Sequence, residues 1–170
     1  MRISTWLGCL LAAASAPAIS SPGLTTDIIN LEGQVIGTVQ LTETEDGLLV
    51  DAKASGLPPG SRALHFHEKG VCNPDDGFES AGDHYNPHDR EHGFKADDGP
   101  HAGDLPNQMV GVDGVLRVHL LAPKLSLEGG DAPLLDHDGS ALIVHADADD
   151  YRSQPSGDAG DRIACAQIGG

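Results

Sequence analysis

Short apolar runs of period two, each closed by a cluster of Gly, Pro, Asp or Asn, recur from Asp27 to the C-terminus, and no stretch keeps a 3.6-residue period over three turns. That pattern leaves little room for amphipathic helices and makes the chain all-β. The clearest strands are predicted over residues 35–42, 48–54, 62–68, 115–121, 140–147 and 162–168. In the second, Leu48, Val50, Ala52 and Ala54 share one face. In the fourth, Leu116, Val118 and Leu120 oppose Arg117 and His119. Strands with one wet and one dry side imply an antiparallel barrel or sandwich, here of about eight strands. Three long connections, 70–107, 122–139 and 148–161, interrupt the regularity. Loops beyond about 12 to 15 residues are uncommon unless functional or disordered. Histidines concentrate in the first, four of the nine, so a metal and a cross-link are expected to fix it where a hydrophobic core does not.

The formal net charge of −16 and the lack of any Lys/Arg cluster exclude binding of nucleic acid by phosphate neutralisation. The same charge repels small anions at long range, so any anion chemistry needs a local positive focus. A length of 170 residues fits one domain. Arg2, the apolar run from Ile3 to Ala14 and the small residues after it read as a secretory signal peptide over residues 1–20, its cleavage site open, ahead of a domain at 21–170. The run is too short to span a bilayer, and no later segment approaches the roughly 20 apolar residues needed. The mature protein is therefore expected to be periplasmic or secreted, with no membrane attachment. Trp6 is bulky for a lipoprotein signal, so Cys9 is expected to leave with the leader. Cys72 and Cys165 then form an even pair in an oxidising compartment, which reads as a disulfide.

Six of the nine histidines fall into an ordered set. In His65-Phe66-His67, on a predicted strand, both imidazoles project from one face and can reach one ion. His145 ends the apolar run Leu142-Ile143-Val144, where alone it would read as a core histidine. From His84, His92 follows at eight residues, His101 at nine more and Asp104 at three more. Three imidazoles and a carboxylate make a closed tetrahedral set of the kind zinc accepts. An imidazole-only set on rigid strands suits copper better.

These residues, in Leu64-His65-Phe66-His67-Glu68, Ser80 to Pro87, Glu91-His92-Gly93, His101 to Asn107, Val144 to Asp150 and Gly160 to Cys165, resemble the copper/zinc superoxide dismutase family of bacterial periplasmic type over essentially the whole mature chain. The resemblance implies a Greek-key β-barrel with superoxide as its substrate. It implies copper held by His65, His67, His84 and His145, and zinc by His84, His92, His101 and Asp104, with His84 bridging the ions as an imidazolate. Asp149 would join His65 to His92 from behind, and Arg162 would capture the substrate anion. Superoxide would be disproportionated to oxygen and hydrogen peroxide by alternating reduction and oxidation of copper, with zinc structural and the His84 nitrogen carrying a proton. Monomers and homodimers both occur on this fold, and no exposed apolar strip decides between them.

One departure from the family is clear. The connection 149–161 carries Arg152 and otherwise only Asp as charged residues, which leaves Lys69 as the candidate for electrostatic guidance. His88, His119 and His137 match no family ligand and read as surface histidines. A copper store on the same barrel would need no arginine beside the metal. A copper-only enzyme would lack His92, His101 and Asp104, and a zinc hydrolase would need an open coordination position with a general base.

Overall fold

The computed structural model describes residues 23–170; the expected leader and Cys9 lie outside the described residues. Nine strands are present there: β1 Gly23–Asn30, β2 Val35–Thr44, β3 Gly47–Ala54, β4 Gly60–Arg62, β5 Leu64–His67, β6 Gln108–Val110, β7 Leu116–Ala122, β8 Ser140–His145 and β9 Arg162–Ile168. All pair antiparallel in one sheet of order β4-β6-β7-β3-β2-β1-β9-β8-β5. No helix among the described residues is long and apolar enough to cross a membrane.

The expected strand 62–68 is two strands that part at Ala63. β4 pairs with β6 and β5 pairs with β8, so the two ends of the sheet are consecutive in the chain. The sheet thereby curls into a nearly closed barrel, which protects the edges an open sheet would expose. The connection from β7 to β8 crosses from one flank of the sheet to the other, a Greek-key step. The strand expected at 140–147 stops at His145, where the register with β9 shifts. The strand expectations did not include β1 and β6.

Inside the barrel, Leu48, Val50, Ala52 and Ala54 of β3 pack with Leu116 and Val118 of β7, all buried as their alternation requires. Phe66, Leu142, Val144, Ala164 and Ala166 complete that core. Each fully buried large aliphatic or aromatic side chain contributes roughly 1.5 to 3 kcal/mol. β8 is buried on both faces. Its outer face, with Ala141 and Ile143, packs with Phe78, Ala81 and Cys165 into a second, smaller core beneath the loop that follows β5. A Cys72–Cys165 disulfide, with Cα atoms 5.7 Å apart, staples that loop to β9. His65 and His67 lie opposite Ile143 and Ala141, and His145 shares their parity, so these three imidazoles stand on the same loop-covered outer face.

Candidate metal centre

The outer edge of β5 is not left free. Phe66 N–H donates to the Gly103 carbonyl (2.9 Å), Tyr85 N–H to the Phe66 carbonyl (2.8 Å) and Glu68 N–H to the Asp83 carbonyl (3.0 Å). Isolated bridges pair His67 with His84 and His65 with Asp104. The long loop therefore docks on β5 through its backbone, and docking carries its histidines and Asp104 up to His65 and His67.

Two four-ligand groups result, each with all its ligand atoms within 4.8 Å of one another and every residue buried: His65, His67, His84 and His145, and His84, His92, His101 and Asp104. His84 belongs to both. In the first group, the second nitrogen of three rings is already engaged. His67 Nδ1 is 2.9 Å from the Gly82 carbonyl, His145 Nδ1 is 3.2 Å from the Gly160 carbonyl, and His65 Nε2 is 2.9 Å from Asp149 Oδ2. Those oxygens can only accept, so each engaged nitrogen carries the proton and the other is bare. The bare Nε2 atoms of His67 and His145 face each other at 3.4 Å. His65 Nδ1 and His84 Nε2 are buried without a partner. Four buried lone pairs converging with no donor among them fit a cation.

In the second group, Asp104 Oδ1 lies 2.9, 3.1 and 3.3 Å from Nδ1 of His84, His92 and His101. A tetrahedral ion with bonds of about 2.0 Å separates its ligand atoms by about 3.3 Å, so little movement is needed to accept zinc. Asp104 Oδ2 is held by the N–H groups of Gly93 (2.9 Å) and His101 (3.0 Å), which leaves Oδ1 to face the rings.

Behind both groups, Asp149 places Oδ2 on His65 and Oδ1 on His92 Nε2 (3.0 Å). Gly157, at φ +71°, lies so close that a Cβ would run into the Asp149 carboxylate and the His92 ring.

Protonation follows these contacts. Burial lowers His145 to about 3; burial likewise lowers His84 to about 4 against the pull of Asp104, and lowers His67. Burial opposes charge on His92 too, but Asp104 and Asp149 on its two nitrogens overcome it and raise the ring to about 9. Both carboxyls lie well below the usual range: burial opposes this, and hydrogen bonds from His101, His84 and His92 to Asp104, and from His65 and His92 to Asp149, prevail.

His67, His84 and His145 open onto a cavity of about 380 Å³ that Arg162 also lines, as do Glu79, Asp83 and Asp161. Arg162 donates Nη1–H to the Phe78 carbonyl (2.7 Å) and Nη2–H to the Gly82 carbonyl (2.9 Å), and Glu79 approaches within 3.6 Å. A larger, more open hollow of about 650 Å³, which includes His88, holds neither four-ligand group. The sequence profile of copper/zinc superoxide dismutase (SODC) matches residues 35–168. The chain belongs to that family. "Superoxide dismutase [Cu-Zn] 2" of Aquifex aeolicus is 45% identical over 144 residues, 84% of each chain. The solved structure of a double mutant of a SOD-like protein from Bacillus subtilis superposes with a TM-score of 0.82 at 47% identity, covering 86% of this chain and 97% of that one. The Cu/Zn superoxide dismutase from Brucella abortus does so at 0.70 and 28%, covering 86% and 99%. The activity is superoxide dismutation, with copper and zinc as cofactors, and the two adjoining ligand groups fit that pair.

The candidate ligands His65, His67, His84, His92, His101, Asp104 and His145, with Asp149 and Arg162, lie at this centre, and Cys72 and Cys165 form the staple beneath it. His88, His119 and His137 are exposed, as expected. Lys69 pairs with Glu68 at 3.6 Å and does not line the cavity. Tyr151, Gln154 and the carbonyls of Gly82 and Gly160 went unnoticed in sequence. Backbone oxygens carry no residue-type signal, and Tyr151 and Gln154 act on backbone across loops.

Proposed function

We propose that His65 Nδ1 and the Nε2 atoms of His67, His84 and His145 hold copper, and that Asp104 Oδ1 with Nδ1 of His84, His92 and His101 holds zinc. One observation carries this: bare ring nitrogens of His65, His67, His84 and His145 converge with no protein donor to satisfy them. When bound, copper supplies the one-electron chemistry of disproportionating superoxide to oxygen and hydrogen peroxide, and zinc supplies fixed positive charge.

The chain's own residues do the rest. His84 spans both groups through its two nitrogens, so its Nε2 is the atom at which a proton can be held and delivered toward the cavity. Asp149 orients His65 and His92 through their second nitrogens. Arg162, its side chain only 12% exposed, keeps its charge fixed where a small anion reaches the cavity floor. In an acidic lining it is the local positive focus.

Residues 1–20 act as a leader, and 21–170 form the working domain outside the cytoplasm; the Cys72–Cys165 bond, which needs an oxidising compartment, supports this. Metal analysis and a dismutation assay on wild type and His84→Ala test the centre. Wild type should hold one copper and one zinc per chain, and the variant should lose activity with disturbance of both. A variant that loses zinc alone and keeps copper and full turnover would refute the shared role of His84.

A further inference from the structure

Tyr151 and Gln154 belong to the connection between β8 and β9, yet their polar contacts fall on the zinc-type group and its support. The Gln154 amide pairs with the backbone of His92 in both directions: His92 N–H donates to Oε1 at 2.8 Å, and Nε2–H donates to the His92 carbonyl at 2.9 Å. His92 is fully buried, so its backbone has this one amide as anchor on that side. Tyr151 N–H donates to Asp149 Oδ1 at 2.6 Å, the oxygen that also faces His92. Its hydroxyl accepts the Asn107 N–H at 2.7 Å, and its carbonyl accepts the Lys95 N–H at 2.9 Å. The ring packs edge-on against Phe94 at 5.4 Å, with Lys95 Nζ 5.3 Å from its centre.

Tyr151 reaches all these partners from a left-handed conformation, φ 66°. For a bulky residue that costs on the order of 1 kcal/mol or more and persists only where surroundings over-determine it. The surroundings here are His92's neighbours. Gly93 runs so close beneath Tyr151 that a Cβ on it would strike the Tyr151 carbonyl.

We propose that Tyr151 and Gln154 form a positioning clamp: they ligate nothing, but together they set where His92 and Asp149 stand, and so how tightly zinc is held. The inference rests on the ligand assignment above. Because Asp149 also holds His65, the clamp links zinc seating to the orientation of a copper ligand. The next residues in the chain, Pro155 and Ser156, line the cavity, so the same clamp anchors part of its wall.

The test is zinc affinity of the copper-free protein by competition with a chromophoric chelator, with Co2+ in place of zinc as a visible-absorption probe of tetrahedral geometry. Gln154→Met keeps the length and loses both hydrogen bonds to His92, together with the one to the Arg152 carbonyl at 3.1 Å. Tyr151→Phe keeps the ring and loses the hydroxyl acceptor. Each should weaken zinc about 3- to 10-fold and the pair 10- to 100-fold, the range found when support of metal ligands is removed, with Co2+ band intensity falling in step. Gln154→Glu, which keeps the acceptor for His92 N–H, should recover part of the loss. Val39→Ala, in the barrel core on β2, three strands from β8 in sheet order, should lower Tm and leave zinc affinity unchanged.

Zinc affinity within twofold of wild type in the double variant, with dismutation intact, would overturn the clamp alone. Equal weakening by Val39→Ala would overturn it as well, since general loosening would then account for the effect. Wild-type protein loaded with both metals but without dismutation would instead overturn the assignment beneath it.

Discussion

Loading the metal-free protein at pH 8 with zinc and then copper should release about two protons, one in each step, from two different histidines. At that pH histidines of ordinary pKa near 6.5 are already neutral. His92, raised to about 9 between Asp104 and Asp149, still carries about 0.9 of its second proton. Zinc must displace that proton to reach Nδ1, since only the bare nitrogen ligates. His84 and His145, lowered to about 4 and about 3, add nothing to the step. Copper then finds bare nitrogens on His65, His67 and His145, whose protons sit on the nitrogens facing Asp149, Gly82 and Gly160. His84 is the exception. In the metal-free protein its proton is on Nδ1 against Asp104; once zinc takes Nδ1, the proton that stays on the neutral ring moves to Nε2, which is buried without a partner. Binding copper there removes about one proton more.

The count is read by titration calorimetry in buffers of different ionisation enthalpy, the slope of observed against buffer enthalpy being the number of protons released. A zinc step with no release would refute the charged state of His92. A copper step with none would refute a ring ligating through both nitrogens, whatever the activity of the product.

Stability of the metal-free protein should peak near pH 6.5. Burial lowers His67, His84 and His145, so below 6.5 the unfolded chain binds more protons and stability falls as the pH drops toward about 4; His92 is raised, so its contribution is present below 6.5 and fades as the pH climbs through about 9. A thermal midpoint that keeps rising from pH 6.5 to 9 would contradict this. Replacing both Cys72 and Cys165 by Ala opens a link between residues 93 apart. The chain-entropy limit is about 4.7 kcal/mol, so urea unfolding should show a loss of about 2 to 5 kcal/mol, and a loss under 1 would count against the staple. Arg162→Gln should lower the dismutation rate constant and azide affinity roughly tenfold, the lower end of what focused charge supplies. Lys69→Ala, whose ammonium pairs with Glu68 outside the cavity, should leave the salt dependence of the rate unchanged.

What the sequence displays and what it hides differ by kind of interaction. Period-two alternation survives in β2, β3 and β7, because each buries one face and wets the other. β1 carries Thr and Asp along a half-exposed strand, and its membership follows from pairing with β2 and β9 rather than from any apolar signal. β6 is three residues long, too short to show a period. The break at Ala63 is equally silent, since the run on either side stays strand-like while its partners change. Candidate ligand side chains are visible through their type and spacing, so the two groups that the fold brings together were legible as candidates. The groups that orient them are carbonyls, turns and amides of other loops, and these become visible only when the chain is folded.

The acidity of the chain bears directly on how the centre works. A net charge of −16, with Glu79, Asp83 and Asp161 among the residues lining the cavity, disfavours an incoming anion until it is close. Attraction must then come from charge at the floor, and its position matters more than its amount, because screening and repulsion erase anything farther than about 10 Å. The structure meets that need by sharing one acceptor. The Gly82 carbonyl receives both Arg162 Nη2–H and His67 Nδ1–H, so the guanidinium and a copper-group imidazole are held from the same atom. Any shift of the loop carrying Gly82 moves both together. The Cys72–Cys165 bond and the Phe78, Ala81 and Ile143 cluster hold that loop against β8 and β9. The second small core under the loop therefore sets how far Arg162 stands from His67, and under the roles proposed for them how far a captured anion would stand from copper, a distance that the barrel core alone does not set.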